Sequence, residues 1–474
     1  MAIQRTAITL LATIALVAGC RSSHPARDAE YARVSQSAYQ AWHTHDPVTP
    51  AINPVASHLE GPHTVEEYIQ FALQQNPDIQ AARKRMEAFA HQVPVAASLQ
   101  DPTLGMTFFP EQVQTAAGQQ EFALAVNQKF PWYGKLSTRA DLAESQTNVA
   151  RAQLAAVELA TIEKVKRAYY ELYFIQQALT VTKADQKLLG EIRDVANSRY
   201  KAGRASQQDL LRAELEISNV ESELIRLRQR LDSGQAQLAR VLHIAPQTKV
   251  RALDRVRPEQ VPHDLEWLQR QAVAARPELH AQLATLQRDE RAVDLAQLDY
   301  MPDVTLGATW IDVATAGISP VANGRDAFLI NAGVNLPLYR KRLDSSVRSA
   351  EANAVSTART YDSMRDATLE MVMDLFAQAR SQQDLLVLFR EDILPKARQT
   401  LEVSSRAYNT GKVDFLTLID NWRQLLRYEV SYLRLEASLR QTLAELERVV
   451  GGFNGPTAEV VPAPPEDPQR LPTP

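Results

Sequence analysis

The sequence predicts a mainly α-helical fold with a small β part: a tandem repeat of long helices, each copy carrying a pair of short strands. Three observations predict it. First, matched segments recur about two hundred residues apart. Asn76-Pro77-Asp78-Ile79 returns as Arg276-Pro277-Glu278-Leu279, and Pro102 with Thr103-Leu104-Gly105 returns as Pro302 with Thr305-Leu306-Gly307. Phe130-Pro131-Trp132-Tyr133 returns as Leu336-Pro337-Leu338-Tyr339, and Tyr200-Lys201-Ala202-Gly203 as Tyr408-Asn409-Thr410-Gly411. The offset drifts only from 200 to 208, so small insertions separate the copies. Second, glycine is scarce, at 16 of 474 residues, while straight-chain helix formers dominate. Third, apolar residues recur in steps of three and four over long stretches.

The N-terminus reads as a processing signal at 1–19. Arg5 supplies its positive end, Ala7 to Ala18 its apolar stretch, and Val17-Ala18-Gly19-Cys20 matches the bacterial lipobox. Cys20 is then the lipidation site. The alternative is an ordinary signal peptide that ends near a cysteine. Residue 21 is Arg rather than Asp, which under the enterobacterial sorting rule favours the outer membrane. Acyl chains anchor a protein without making it span. Residues 20–63 are polar, Pro-dotted and aperiodic, and read as an extended lipidated arm.

The first copy is expected over 64–243. Thr64-Val65-Glu66-Glu67 is a capping box that opens a short helix to about Gln75. A second helix follows Pro77, which suits a first helical turn, and runs to about Leu99. Leu104, Met106 and Phe108 then alternate with Thr103, Gly105 and Thr107; Phe122, Leu124 and Val126 alternate with Ala123, Ala125 and Asn127. This period of two predicts a strand hairpin over about 103–130, with a polar loop from Glu111 to Gln120. A long helix from about Ser137 to Lys201 stops at Gly203. Ser206 caps a shorter helix to about His243. Its seam is Leu210, Ala213, Ile217, Val220, Leu224, Leu227, Leu231, Gly234, Leu238 and Val241.

Residues 244–263 read as an irregular linker. The second copy, 264–450, opens at the N-cap Asp264 and repeats the pattern. Its strand hairpin falls at about 303–336, where Val304, Leu306, Ala308 and Trp310 share a face with Phe328, Ile330, Ala332, Val334 and Leu336. Asn331, Gly333 and Asn335 line the other. Its long helix runs from about Asp344 to Tyr408, with a kink or break expected at Pro395. Asp414 caps the last helix, to about Val450. Small residues mark the long-helix seams: Ala140, Ala143, Thr147 and Ala150 in one, Ala350, Ala354 and Thr357 in the other. Each long helix spans about 98 Å, and two shorter helices stacked end to end match that length. The tail 451–474 is Pro-rich.

The predicted strands are of the length that crosses an outer membrane at a tilt. Four strands cannot close an open barrel, and open sheet edges cannot sit in lipid. Several chains must then share one barrel, and three would contribute 12 strands. Phe108, Trp310 and Phe328 fall toward one membrane interface; Trp132, Tyr133 and Tyr339 fall where strand returns to helix, as an aromatic belt would. The competing reading is a soluble β-hairpin domain capping a coiled coil.

The doubled pattern, Phe130-Pro131-Trp132-Tyr133-Gly134-Lys135 and the turns Tyr200 to Gly203 and Tyr408 to Gly411 resemble the TolC-type outer-membrane factor family. The lipobox is similar to that of its lipoprotein branch, typified by CusC and OprM. The resemblance spans Thr64 to Val450. It implies a homotrimeric channel-tunnel with a 12-stranded β-barrel in the outer membrane and an α-helical barrel in the periplasm. It also implies export together with a periplasmic adaptor (membrane fusion) protein and an inner-membrane pump of the RND type.

By the same resemblance, Tyr200, Gly203, Tyr408 and Gly411 form the periplasmic tip turns. A basic residue often follows the second turn in the family; here Lys412 and Val413 stand there, which puts an arginine clasp at that position in doubt. Asp420, Asp209 and Thr417 are the candidate pore or gate residues. An acidic ring at a constriction favours cations. Asp209 reads equally as a first-turn carboxylate facing the helix dipole. The Phe130 to Lys135 segment is similar to that of metal-efflux members, but a duct has little selectivity of its own, so metal ions and drugs both remain open as cargo.

Other chemistry is excluded or weak. A net charge of −4 gives no nucleic-acid footprint. One cysteine excludes a disulfide framework. His43 and His45 form a loose pair without a third ligand. Met371 and Met373 face two sides of a helix, as in core packing. No nucleophile–base set or phosphate loop is present, so neither an enzyme nor a resident cofactor is expected. The second functional reading is a lipid-anchored periplasmic coiled-coil scaffold or pump adaptor without a pore.

Overall fold

The computed structural model describes residues 29–44, 59–256 and 261–452. The signal segment, Cys20, His45 and the tail from 453 onward lie outside the described residues. Two compact units are distinguished. One comprises residues 1–58 with 243–245; the other comprises residues 59–242 with 246–474. The described helix of the first unit is α1, Ala29–Thr44. It corrects the expectation of an extended arm. The prolines that gave that impression, Pro25, Pro47, Pro50 and Pro54, all lie outside an Ala- and Gln-containing stretch free of Gly and Pro.

All other elements belong to the second unit. Strand β1, Gly61–His63, pairs in parallel with β4, Val250–Ala252, so the arm's end and the linker are partly ordered as strand rather than irregular. Helix α2, Val65–Gln75, has the predicted capping box: Glu67 N donates to Thr64 Oγ1 at 3.2 Å, and Thr64 N donates to Glu67 Oε2 at 3.0 Å. Helix α3, Pro77–Ala97, is capped by Asn76, whose Oδ1 accepts from Asp78 N at 2.9 Å.

The first hairpin joins β2, Thr103–Thr115, to β3, Gly118–Phe130. The expected loop from Glu111 to Gln120 is mostly strand. Pairing slips between Phe108 and Val113, which accommodates Pro110 where no ladder donor is needed, and then resumes to a tight turn at 116–117. Gly118 closes that turn at φ +137°, where an added Cβ would lie 1.8 Å from the Ala314 carbonyl oxygen. Both strands reach 13 residues, longer than expected.

Helix α4, Lys135–Lys201, runs 67 residues without interruption; α5, Gln207–Leu242, returns along it. In the second copy follow α6, Leu265–Ala275; α7, Pro277–Leu298; β5, Val304–Val313; β6, Ala327–Val334; and α8, Arg340–Leu388. The break expected at Pro395 is a five-residue π-helical turn, Phe389–Ile393. Proline lacks the N–H for an i→i−4 bond and crowds the carbonyl four residues back, which a wider turn relieves. Helix α9, Leu394–Asn409, continues to the turn, and α10, Phe415–Val450, returns.

The stacking inferred from lengths is present. Both α3 and α5 pack along α4, and Asn76 Nδ2 donates to Val241 O at 2.8 Å where α5 ends and α3 begins. In the second copy Arg448 near the end of α10 pairs with Glu278 at the start of α7, at 3.3 Å. Most of the predicted seam of α5 is buried, Ala213 and Leu238 fully so, while Leu210, Ile217 and Leu231 are part-buried. Helix α4 also packs against α7 and α10, so the first long helix joins the copies. One core cluster gathers Phe174, Leu189, Leu224, Phe415, Trp422 and neighbours from four helices.

Candidate membrane wall, junction and tip

The four long strands form one antiparallel sheet in the order β2-β3-β5-β6. Register sorts its two faces. Met106, Leu124, Trp310 and Phe328 lie in one cross-strand row, and Leu104, Val126, Ala308 and Ile330 in the next row of that face. On the opposite face Thr103, Asn127, Gly307 and Asn331 form a row. Asn331 Nδ2 donates to Asn127 Oδ1 at 3.4 Å across Gly307. That glycine makes the bridge possible, because an added Cβ would stand 2.2 Å from Asn127 Oδ1.

One face is therefore mainly apolar, broken by Gln128 beside Leu306, and the other carries amides and small residues together with Ile311 and Leu329. The apolar face is open: Met106, Phe108, Phe328 and Ile330 are all exposed. The aromatic candidates fall at two separate places. Phe108 and Phe122 rings lie 5.1 Å apart, Phe122 meets Trp310 edge-on at 6.2 Å, and Trp310 is cross-strand to Phe328. Beyond the other strand ends, Trp132, Tyr133 and Tyr339 are exposed, Tyr133 to 94 %.

The junction between strand and helix is built on a residue the sequence reading missed, Asp303. Its Oδ1 accepts from Lys135 Nζ at 2.8 Å and from Trp132 N at 3.1 Å; its Oδ2 pairs with Lys129 at 3.1 Å. Asn335 Oδ1 in turn accepts from Asp303 N. Lys135 also donates to Met301 O at 3.1 Å. Gly134, at φ +89°, turns the chain so that Lys135 can start α4 and still point inward. Burial would raise the Asp303 pKa, but the hydrogen bonds from Lys135, Trp132 and Lys129 outweigh it and hold the group at about 2. One signal was available: the repeat departs here, with Thr103 in the first copy and Asp303 in the second, each after a proline.

At the other end of the helices, the two turns have the same backbone. Gly203 N donates to Tyr200 O and Arg204 N to Arg199 O; Gly411 N donates to Tyr408 O and Lys412 N to Ala407 O. Gly203 and Gly411 sit at φ +69° and +79°. This is the 5→2, 6→1 closure that glycine favours. The two tyrosines differ. Tyr200 is exposed, whereas Tyr408 is buried against Phe415, with centroids 5.5 Å apart.

An arginine does bridge the turns, from a position the sequence did not single out. Arg199 of α4 donates to Tyr408 O and, at 3.3 Å, to Arg204 O, and its guanidinium lies 4.6 Å from the Tyr408 ring centroid. Burial first, then the negative charge of Asp209, raises the Tyr408 phenol pKa. Asp209 itself occupies the first turn of α5. Thr417 donates to Asp414 at the start of α10, and that hydrogen bond lowers the Asp414 pKa. Asp420 pairs with Arg423 at 3.0 Å, and Arg423 also pairs with the buried Glu216 of α5. So the structure brings Asp209 and Tyr408 together, ties Thr417 to Asp414 by a side-chain hydrogen bond, and sets Asp420 in a charge cluster with Arg423 and Glu216. Among the described residues no group of three or more His, Cys, Asp or Glu could hold a metal ion.

Comparison with known proteins matches residues 68–242 and 268–452 to the family described as outer membrane efflux protein. The chain is 22 % identical over 404 residues to the cobalt-zinc-cadmium resistance protein CzcC of Cupriavidus metallidurans, covering 82 % of this chain and 90 % of that one. It is 21 % identical over 334 residues to the pyoverdine export outer membrane protein OpmQ of Pseudomonas putida, covering 69 % and 70 %. The fold matches the outer-membrane channel OprN with a TM-score of 0.70 at 18 % identity, over 85 % of this chain and 96 % of that one.

Proposed function

Since the chain belongs to the outer membrane efflux protein family, we propose that three copies close a 12-stranded barrel and act as the passive outer-membrane duct of a tripartite export system. The observation that carries this is the four-stranded sheet with one mainly apolar face, one face with a row of amides, and two unpaired outer edges, β2 and β6. An isolated sheet of this kind leaves backbone groups unsatisfied in lipid; joining β2 of one chain to β6 of the next satisfies them. The Asn127, Gly307 and Asn331 face then lines the lumen, and the aromatics at both strand ends sit at the membrane interfaces. Cys20 supplies the lipid anchor, and the helices extend into the periplasm toward an adaptor and an inner-membrane pump.

The duct passes small solutes that the pump selects. One relative's name concerns cobalt, zinc and cadmium and another's pyoverdine export, at almost equal identity. Similar chains with such unlike cargo support a wall that conducts rather than recognises. The reaction is transport, with no enzymatic step. Light scattering of the detergent-solubilised protein tests the assembly. Three chains per particle are expected; a monomer under every condition that keeps the helices folded contradicts it and favours the poreless scaffold.

A further inference from the structure

Asp185 lies in the middle of the interface between α4 and α10, at 6 % exposure. Its Oδ2 is buried without a hydrogen-bond partner, and so is the indole nitrogen of Trp422 on α10. Among the described residues no cation pairs with it. Lys183 and Lys187 on its own helix point to solvent. From α10 it meets Trp422 and the like charge of Glu429. Glu429 is held from the far side by Arg398 of α9, at 2.7 Å. The nearby charges of α5 and α10, Glu216 and Arg423, are already paired with each other.

The same stretch of α10 also touches both sides of the π-helical turn. Tyr428 packs edge-on against Phe389 inside the turn, at 6.1 Å, and Glu429 reaches Arg398 beyond it. The first long helix is continuous at this level, so only the second has a built-in point of flexure. We propose that Asp185 is a protonation switch that sets how α10, and through it α9, sits on α4, with the π-helical turn as the hinge.

The protonated acid tolerates its dry position and the approach of Glu429. The carboxylate does not, because its negative charge has no cation there and faces a second carboxylate, and the Trp422 indole beside it only partly offsets that cost. Burial first, and Glu429 second, raise the Asp185 pKa to about 6. The sign follows. For an acid with a raised pKa, the close-packed arrangement is favoured below the ordinary carboxylate range and loses that advantage as pH rises through about 6. The shift from 3.8 to about 6 corresponds to a change of up to ~100-fold in the balance of the two arrangements. Because α9 and α10 lead to the turn at Tyr408 to Gly411, the movement is read at the tip.

The proposal rests on the duct reading only for its consequence, and its test does not depend on conduction. Spin labels at Lys201→Cys and Lys412→Cys, in the full-length protein in detergent, report the separation of the two tips. We expect the distance distribution to change between pH 4 and pH 7.5, the change falling between the ordinary carboxylate value and about 6. Asp185→Asn is expected to hold the pH 4 distribution at both values, and Glu429→Gln to move the upper end of the change to lower pH. A distribution that ignores pH, or one that follows pH equally in Asp185→Asn, overturns the proposal. Bilayer conductance of the same preparation decides the duct reading separately.

Discussion

Lys135 Nζ and Asp303 Oδ1 lie 2.8 Å apart, with both side chains less than a tenth exposed. The pair joins the first residue of the first long helix to the residue that precedes β5, and so fastens one copy of the repeat to the other where strand meets helix. Removing one partner leaves an uncompensated buried charge. Lys135→Met is expected to cost about 3 kcal/mol, moderated by Lys129, and the double substitution Lys135→Met with Asp303→Leu to recover most of it. Denaturant melts of Lys135→Met, Asp303→Leu and the double variant measure the coupling; additive single costs would contradict it.

The same carboxylate confers acid sensitivity. Its pKa is depressed to about 2, so its contribution is present above the ordinary carboxylate range and is lost as pH falls toward 2. The expected loss is about 2 kcal/mol. Thermal melts at pH 7 and pH 3 should differ more in the wild type than in Asp303→Asn. Equal acid sensitivity would remove Asp303 from the account.

Arg199 holds the two tip turns through two carbonyl oxygens and one aromatic face. Arg199→Ala should loosen the tip by about 2 kcal/mol. Arg199→Lys should not restore it, since an ammonium cannot span both carbonyls while stacking. Single-channel open time in bilayers is the readout, and a lysine variant that behaves like wild type would argue against the clasp.

Asp420 is paired with Arg423, so its charge at any constriction is partly offset. Asp420→Asn should therefore reduce cation preference, and Arg423→Gln should increase it. Reversal potentials under a salt gradient decide the matter; identical values for both variants and wild type would exclude Asp420 from the pore.

Much of the fold was legible because it is periodic. The capping box at Thr64, the seam from Leu210 to Val241 and the alternation from Leu104 to Phe108 each follow from one residue spacing. The length match of α3 with α5 against α4 followed from the same counting. What escaped depended on partners distant in sequence. Asp303 acquires its role only when Trp132 and Lys135 are brought to it, and Arg199 only when the second turn comes to lie beside the first. The helix Ala29–Thr44 was obscured by flanking prolines. The strand beyond Pro110 was obscured by a bulge, because a slipped register breaks the two-residue period that marks a strand.

The central claim, that this chain builds a conducting duct across a membrane, is tested most directly by reconstituting the purified, lipid-bearing protein into planar bilayers. Discrete, salt-dependent conductance steps are predicted, reduced when the polar sheet face is filled by Gly307→Trp. Folded, lipid-bearing protein that inserts no conductance, and that leaves the membrane under mild salt without detergent, would contradict it.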